Sequence, residues 1–324
     1  MYKYTGIDIS KQDFDAFSMD GNGEGLSLKC KNGTQGFKKL LKNYGKKSIY
    51  VMEASGPYYL RLANFLYQKG VKVCVLNPLV IRRYSQMRLL RAKTDKKDAQ
   101  TIFEYSNHNL LSLWEPTPAS IKEMQQVLTA LELLNRQLTA LTNQLGAFKS
   151  SGELFGHVKA SLKKTIVGVK EQKEKLEQRL QQIARGHYNQ TKELLESIPG
   201  IGPKASAVLI AITNNFNKFV HYKQLIAYVG LSPRIYLSGT SVKGKGHIAK
   251  IGKAQVRKQM YMSAWSAKFH NRACVLLYER LSAKGKKERV IKIAIANKLI
   301  KQAFSIVKNK REYDVNFISK LNIV

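Results

Sequence analysis

Acidic residues are scarce in this chain. Its 324 residues include 22 Asp and Glu against 55 Lys and Arg, which gives a net charge of +33. Solubility alone does not require so much charge of one sign, and the excess is spread over the whole length. A phosphate polyanion is the partner that best accounts for it, because basic side chains that neutralise phosphates release condensed counterions. We therefore expect the chain to bind a phosphate polyanion, with double-stranded DNA among the candidates.

Cysteines and long apolar runs are also scarce. Cys30, Cys74 and Cys274 lie far apart without a Cys-x-x-Cys pair, so neither a disulfide framework nor a zinc site is expected. The six histidines include no His-Glu-x-x-His motif. No segment reaches ~18 uninterrupted apolar residues and no signal-peptide pattern opens the chain. We expect no membrane partner and a cytoplasmic, nucleoid-associated protein.

The order of elements in residues 1–115 predicts an α/β domain. Three antiparallel strands are followed by helix, strand, helix and strand, which is the order of a ribonuclease H-like domain. A glycine-rich turn at 21–25 separates the second and third strands. The predicted strands are 4–10, 13–19, 26–30, 48–54 and 71–76, and the predicted helices are 34–44 and 58–68.

Four carboxylates lie on the predicted strands and on the helix that follows them. Asp8 lies on the first strand, Glu53 ends the fourth, and Asp95 and Asp98 begin a closing helix, with no acid between Glu53 and Asp95. Strand ends and a helix packed on the same sheet can bring them together, where they would repel one another unless they held cations. We expect two Mg²⁺ ions roughly 4 Å apart to be bound there.

Each acid also has an ordinary structural interpretation. Asp8 could be a turn acid and Glu53 a surface residue. Asp95 could be the N-cap of a helix, with Asp98 facing the positive end of its dipole. The joint placement favours the metal site. The run before Asp95 is strongly basic, and we expect it to bind nucleic acid through Arg82, Arg83, Arg88 and Arg91.

Residues 116–190 are predicted to form a coiled-coil hairpin. A heptad seam, spaced alternately by three and four residues, breaks at 150–152 and continues more weakly in a second helix. The seam could pack on itself, but its regularity favours a homo-oligomer, dimer or tetramer, formed through it. The seam residues are Met124, Val127, Leu131, Leu134, Leu138, Leu141, Leu145 and Phe148, followed by Val169, Leu176, Leu180 and Ile183.

The third part, 191–324, opens with a glycine-rich hairpin between two helices. The run from Ile198 to Lys204 predicts a helix-hairpin-helix motif, in which Gly200 and Gly202 let a phosphate backbone approach exposed amides beside Lys204. An ordinary glycine turn is the alternative.

A hydroxyl-rich, cationic loop follows and contains Ser238. From Ser197 through Tyr278 there is no Asp or Glu, so carboxylates for phosphoryl chemistry in this loop must come from elsewhere. A serine hydroxyl needs a metal ion or a base to become a nucleophile, and a composite site would supply one. We expect the cations of this region to bind DNA or RNA; they are Arg234, Lys243, Lys245, Lys250, Lys253 and Arg257.

Taken in order, these motifs resemble the DEDD transposases of insertion sequences, relatives of the Piv-type DNA invertases. The matching residues run from about 4 to about 313. They are Gly6-Ile7-Asp8, Glu53-Ala54-Ser55-Gly56, Lys93-Thr94-Asp95-Lys96-Lys97-Asp98-Ala99, Ile198-Pro199-Gly200-Ile201-Gly202, Gly230-Leu231-Ser232-Pro233, Ser238-Gly239 and Lys250-Ile251-Gly252.

The resemblance implies a RuvC-like nuclease domain in which Asp8, Glu53, Asp95 and Asp98 bind metal. It also implies a C-terminal transposase domain in which Ser238 attacks DNA, although Ser241 lies close enough to be an alternative. Members of the family are understood to act as oligomers with a structured non-coding guide RNA, the bridge RNA. The resemblance thus implies two nucleic-acid partners, DNA and RNA.

Three other functions are compatible with the residues. A RuvC-like junction resolvase would use the same acids to activate water. A DNA- or RNA-coating protein would have no catalytic activity. A tyrosine nucleophile such as Tyr236 is a weaker possibility, since tyrosine recombinases need no metal tetrad.

Overall fold

A computed structural model describes residues 3–89, 94–234, 237–238, 242–243 and 247–316. The chain forms two compact units, Met1–Pro116 and Thr117–Val324. The segments predicted as separate domains, 116–190 and 191–324, thus belong to one compact unit, and their independence as domains stays a prediction.

The first unit is built on a five-stranded mixed sheet with the strand order β3-β2-β1-β4-β5. The first three strands are antiparallel neighbours, whereas β1, β4 and β5 run parallel. The mixed α/β architecture predicted here is confirmed. In chain order the elements are β1 (Tyr4–Ile9), β2 (Asp13–Met19), β3 (Gly25–Lys31), α1 (Thr34–Tyr44), β4 (Ile49–Glu53), α2 (Tyr59–Gln68), β5 (Val73–Leu76), α3 (Pro78–Met87) and α4 (Asp95–His108).

Helices cover both faces of this sheet. Helices α1 and α2 cover one face over a core that includes Phe14, Leu40, Tyr50 and Leu62, all fully buried. On the other face α4 crosses β1 and β2, where Phe103 packs edge-on against Phe17 with ring centroids 5.3 Å apart. Strand β4, which lies between β1 and β5, is buried on both faces, which explains its apolar sequence.

The second unit is mainly helical, as predicted. Its largest core includes residues from α5, α6, α7, α8, α9, α10 and α11. Four two-residue strands between the eighth and ninth helices form two small antiparallel sheets, one from the outer pair of strands and one from the inner pair. In chain order the elements are α5 (Ala119–Ser150), α6 (Gly156–Glu196), α7 (Pro203–Thr213), α8 (Tyr222–Val229), β6 (Pro233–Arg234), β7 (Leu237–Ser238), β8 (Val242–Lys243), β9 (His247–Ile248), α9 (Ala254–His270), α10 (Arg272–Ala283) and α11 (Glu288–Asn309).

The heptad seam packs within its own chain. Helices α5 and α6 form a hairpin in which Met124 and Leu131 of α5 lie in the same core as Leu180 of α6. Farther along α5, Leu138 and Leu141 are half-buried. The favoured interpretation, a seam that forms a partner interface, is therefore wrong for Met124, Val127 and Leu131, because these residues pack in the core of their own chain. Oligomerisation itself stays a prediction.

Within the described part of the chain, no helix combines the length and the apolar character that a membrane span requires.

Candidate active site

Gly6 allows helix α4 to lie directly against strand β1. A Cβ atom on Gly6 would stand 2.3 Å from the carbonyl oxygen of Ala99 and 2.5 Å from the backbone nitrogen of Phe103. Any side chain here would therefore push the helix away. Asp8 lies two residues farther along β1, so it is on the same face of the sheet as Gly6 and faces α4.

Glu53 is brought beside Asp8 by the parallel pairing of β1 and β4. Ile7 is in register with Met52, which makes Asp8 and Glu53 the next residues along two adjacent parallel strands. Both carboxylates therefore lie where these strands approach their carboxyl ends, the edge at which ligands of open α/β sheets bind.

Asp95 and Asp98 both lie in the first turn of α4. The N-cap is Thr94, whose hydroxyl accepts a hydrogen bond from the backbone N–H of Lys97 at 3.3 Å. The alternative that made Asp95 the N-cap is therefore wrong. Both acids still benefit from the positive end of the helix dipole, which stabilises carboxylates in this turn.

Electrostatics show that the four acids lie near one another. Burial, followed by repulsion from Asp98, Asp95 and Glu53, raises the pKa of Asp8 to about 6. Each of these neighbours makes ionisation of Asp8 less favourable. A bound cation would relieve that repulsion.

The carboxylates are close without forming a preassembled metal site. Among residues 3–89, 94–234, 237–238, 242–243 and 247–316, no three His, Cys, Asp or Glu side chains are grouped tightly enough to hold an ion. The donor chemistry nevertheless suits a hard divalent cation, since carboxylate oxygens are its preferred ligands. The four side chains would have to move closer together to bind one.

A fifth acid, Asp15, was missed in the sequence. It lies directly opposite Asp8 in the β1–β2 ladder, and its carboxylate is 3.7 Å from the ammonium of Lys29 on β3. Burial is the main reason that the pKa of Asp15 is raised, while Lys29 acts in the opposite direction. The signal was available, because a tight turn between β1 and β2 fixes which residues pair across it.

Ser238 lies on a small β-hairpin rather than in an irregular loop. It is in β7, where it is in register with Val242 of β8, and the outer pair Arg234 and His247 joins β6 to β9. Next to these strands, the guanidinium of Arg257 on α9 donates a 2.7 Å hydrogen bond to the carbonyl of Val229 at the end of α8, which joins the two flanking helices. Ser241 and Tyr236 lie outside the described residues.

The glycine hairpin between α6 and α7 uses its two glycines differently. Gly200 has φ +102° and packs on α9, where an added Cβ would stand 2.6 Å from the Cβ of Ala267. Its role is thus internal packing. Gly202 is exposed with open space around it and precedes α7, the helix end at which we predicted phosphate contacts. Lys204 is paired with Glu177 at 2.8 Å, an exposed ion pair of the kind that contributes little.

The other predicted nucleic-acid contacts are mostly exposed. Arg82, Arg83 and Arg88 lie on or just after α3, and Arg88 is 3.3 Å from Glu104. Arg234, Lys250 and Lys253 are exposed in the second unit, whereas Arg257 is half-buried. Lys243 is placed in β8, while Arg91 and Lys245 lie outside the described residues.

Two family models match the chain. Residues 5–148 match a model described as a transposase of the DEDD, IS110 type, and residues 192–279 match the transposase IS116/IS110/IS902 family. Together they cover more than half of the chain.

Curated proteins are also similar to this chain over most of its length. The chain is 28% identical over 320 residues to a pilin gene-inverting protein of Moraxella lacunata, covering 96% of this chain and 97% of that protein. It is 22% identical over 282 residues to the transposase for insertion sequence element IS1111A of Coxiella burnetii, covering 79% and 75%.

The sheet with its converging acids, the basic helical unit and both family models define a DNA transposase, an enzyme of DNA recombination. More narrowly, the chain belongs to the IS110 family of DEDD transposases. Membership of a DEDD family implies the use of divalent metal ions in general.

Proposed function

We propose that this transposase cuts and rejoins DNA with a Mg²⁺-dependent site formed by Asp8, Glu53, Asp95 and Asp98 and with Ser238 as its nucleophile. The observation that carries the proposal is the placement of Asp8 and Glu53 on adjacent parallel strands that pack against α4, whose first turn holds Asp95 and Asp98; the raised pKa of Asp8 agrees with it. Gathering several carboxylates in one place is costly, and bound cations are the usual compensation. The sheet order supports the ribonuclease H-like assignment of this unit.

The four carboxylates have the role of holding the metal. A pair of Mg²⁺ ions bound by them would polarise a phosphodiester and stabilise charge on its attacking and leaving oxygens. Asp8 and Glu53 come from rigid adjacent strands, while Asp95 and Asp98 come from one helical turn. The strands thus provide a fixed half of the site, and α4 provides the half whose position depends on packing at Gly6.

Ser238 has the role of storing the energy of the broken phosphodiester. Its oxygen forms a bond to phosphorus and loses its proton to a base, while the bond from phosphorus to the leaving strand breaks and that oxygen takes up a proton. The resulting phosphoserine ester is reversed when a strand-end hydroxyl attacks it, which rejoins DNA without an external energy source. Water in place of serine would give irreversible cleavage.

A covalent adduct tests this step. Full-length protein incubated with labelled DNA carrying its own element ends should give a protein–DNA band that survives denaturation. Ser238→Ala should abolish the band and Ser241→Ala should keep it. Asp98→Asn or a chelator should also abolish it. Metal-dependent cleavage that persists in Ser238→Ala without an adduct would replace this proposal with a water-activating resolvase.

We also propose that a structured non-coding RNA guides the enzyme. The net charge of +33 provides cations for a second polyanion besides DNA, and protein cations contact phosphates more often than bases. Sequence choice is then assigned to base pairing by the RNA. Sequencing the nucleic acid that copurifies with the protein should give one discrete RNA encoded beside its gene, and a random RNA population would contradict the idea.

A further inference from the structure

The outer face of α9 carries a row of exposed large side chains. Met262, Trp265 and Phe269 are 57%, 47% and 67% exposed and follow helical spacing, with exposed Lys258 one turn ahead of them. The opposite face of α9 is buried in the core. Contiguous exposed apolar surface of this kind is typical of an interaction site. We call Trp265 and Phe269 the aromatic platform.

Two lysines hold the platform from its inner side. The ammonium of Lys292 is 2.9 Å from the centroid of the Trp265 ring, and that of Lys268 is 4.6 Å from the centroid of the Phe269 ring. Their side chains are only 3% and 10% exposed. These contacts fix the rings, and Trp265 remains 47% exposed although Lys292 lies over its ring.

The charge around the platform indicates its ligand. Lys268 and Lys292 share one carboxylate, Glu288, at 3.1 Å and 3.0 Å, which leaves a net positive charge beneath the rings. The whole stretch from Ser197 through Tyr278, which includes α9, contains no Asp or Glu. An apolar protein partner would gain nothing from this positive charge, whereas a polyanion with flat apolar groups would contact both the cations and the aromatic rings.

Unpaired bases of a nucleic acid combine these properties. Every base offers a π-face for stacking on an aromatic side chain, and its phosphate can reach nearby cations such as Lys258. A duplex hides its base faces except at its ends. A DNA-recombining enzyme produces cut strands with unpaired bases, so single-stranded DNA is the form of this ligand that its reaction generates.

We propose that Trp265 and Phe269 form a stacking site for single-stranded DNA, built from residues other than the four acids and Ser238. Its role is to hold a strand after it has been released from the duplex. The site requires the DNA-recombining class of this enzyme but not the serine mechanism, so the two proposals fail independently: binding tests this one and adduct formation tests the other.

Tryptophan fluorescence tests stacking directly, because the chain has only two tryptophans. Trp114, in the first unit, packs edge-on against Tyr67 and can be replaced by Phe, which leaves Trp265 as the sole reporter. Titration of full-length Trp114→Phe protein with oligo(dT) should quench the remaining emission by at least half. A mixed-sequence duplex of equal length should change it little.

Substitutions separate stacking from mere apolar contact. Trp265→Leu and Phe269→Leu keep apolar surface but remove the π-face, and each should weaken oligo(dT) binding about tenfold. Trp265→Phe should bind within about twofold of wild type. Phe155→Leu is the matched control, since Phe155 is 68% exposed on the helical hairpin, and should bind as wild type does. Circular dichroism melts verify that each variant is folded.

Three results would overturn the proposal. The first is unquenched Trp265 emission at saturating oligo(dT). The second is oligo(dT) affinity unaffected by Trp265→Leu and Phe269→Leu in folded proteins. The third is evidence for another partner. A change in sedimentation that these variants abolish would assign the platform to a second copy of the chain. A preference for oligo(U) over oligo(dT) of more than about tenfold that they abolish would assign it to RNA.

Discussion

Asp8 is the residue at which the repulsion within the acidic cluster is most evident. Burial and four neighbouring carboxylates, those of Asp98, Asp95, Glu53 and Asp15, raise its pKa from 3.8 to about 6. The folded protein therefore holds the Asp8 proton more tightly than the unfolded chain does. Stability attributable to this group is present below pH 4 and is lost as the pH rises toward about 6, the reverse of the behaviour of an ion-paired acid. At neutral pH the cluster destabilises the metal-free fold.

Asp8→Asn should therefore separate stability from catalysis. At pH 7.5 and without metal, we expect it to raise the free energy of unfolding in urea by about 1 to 2 kcal/mol, after discounting the shift for partial solvent screening. The gain should vanish below pH 4, and cleavage should be lost at every pH. Mg²⁺ should raise the melting temperature of the wild type but not of the variant.

The control for this variant is Glu24→Gln, which removes an exposed carboxylate in the turn between β2 and β3. It should leave both the pH profile of stability and the response to Mg²⁺ unchanged. If Asp8→Asn proves no more stable than this control, repulsion among the acids does not destabilise the metal-free fold.

At the scale of elements, the packing of α4 on β1 decides whether the acids converge. Gly6→Ala places a methyl group too close to backbone atoms of Ala99 and Phe103. These backbone atoms cannot move aside as the end of a flexible side chain would. We expect a loss of about 1 to 3 kcal/mol in unfolding free energy. Metal-dependent cleavage should fall by at least about tenfold, because α4 carries Asp95 and Asp98 away from Asp8.

Gly21→Ala provides the matched comparison, since a Cβ there meets nothing within 4 Å. It should leave stability within about 0.5 kcal/mol of the wild type and cleavage unaltered. Wild-type cleavage by Gly6→Ala would mean that the site tolerates displacement of α4.

Prediction from the sequence succeeded where periodicity and turn residues agreed. Helix α1 begins at Thr34 and ends at Tyr44 as predicted, and β4 differs from its prediction by one residue at each end. The placement of Asp8 and Glu53 on strands followed from these elements. Helix α3 was not predicted, although Asn77 as N-cap followed by Pro78 is a recognised helix start signal.

Other features depended on tertiary pairing that no local pattern specifies. Gly200 proved to be a packing residue only once α9 lay against it. The heptad seam illustrates the same limit. Its spacing defined an apolar stripe on α5, but α6 of the same chain and a partner helix would produce the same stripe.

At the scale of the whole molecule, the acids and the serine belong to different compact units of one chain. Ser238 lies in a stretch free of carboxylates, so under the proposed mechanism its activation would have to come from Asp8, Glu53, Asp95 and Asp98. An oligomer can meet that need by combining the acids of one chain with the serine of another. We hypothesise that the proposed chemistry is organised in this way.

Mixing two inactive variants distinguishes the arrangements. Ser238→Ala retains the acids, and Asp95→Asn retains the serine, so neither should cut DNA alone. If one chain supplies acids to the serine of another, equal mixing of subunits in a dimer should make about a quarter of all sites intact. Strand cleavage should then reach about a quarter of the wild-type level. The double variant mixed with either single variant should stay inactive. Because subunit exchange can be followed independently by labelling, a mixture that exchanges fully and still fails to cut would mean that each chain uses its own acids.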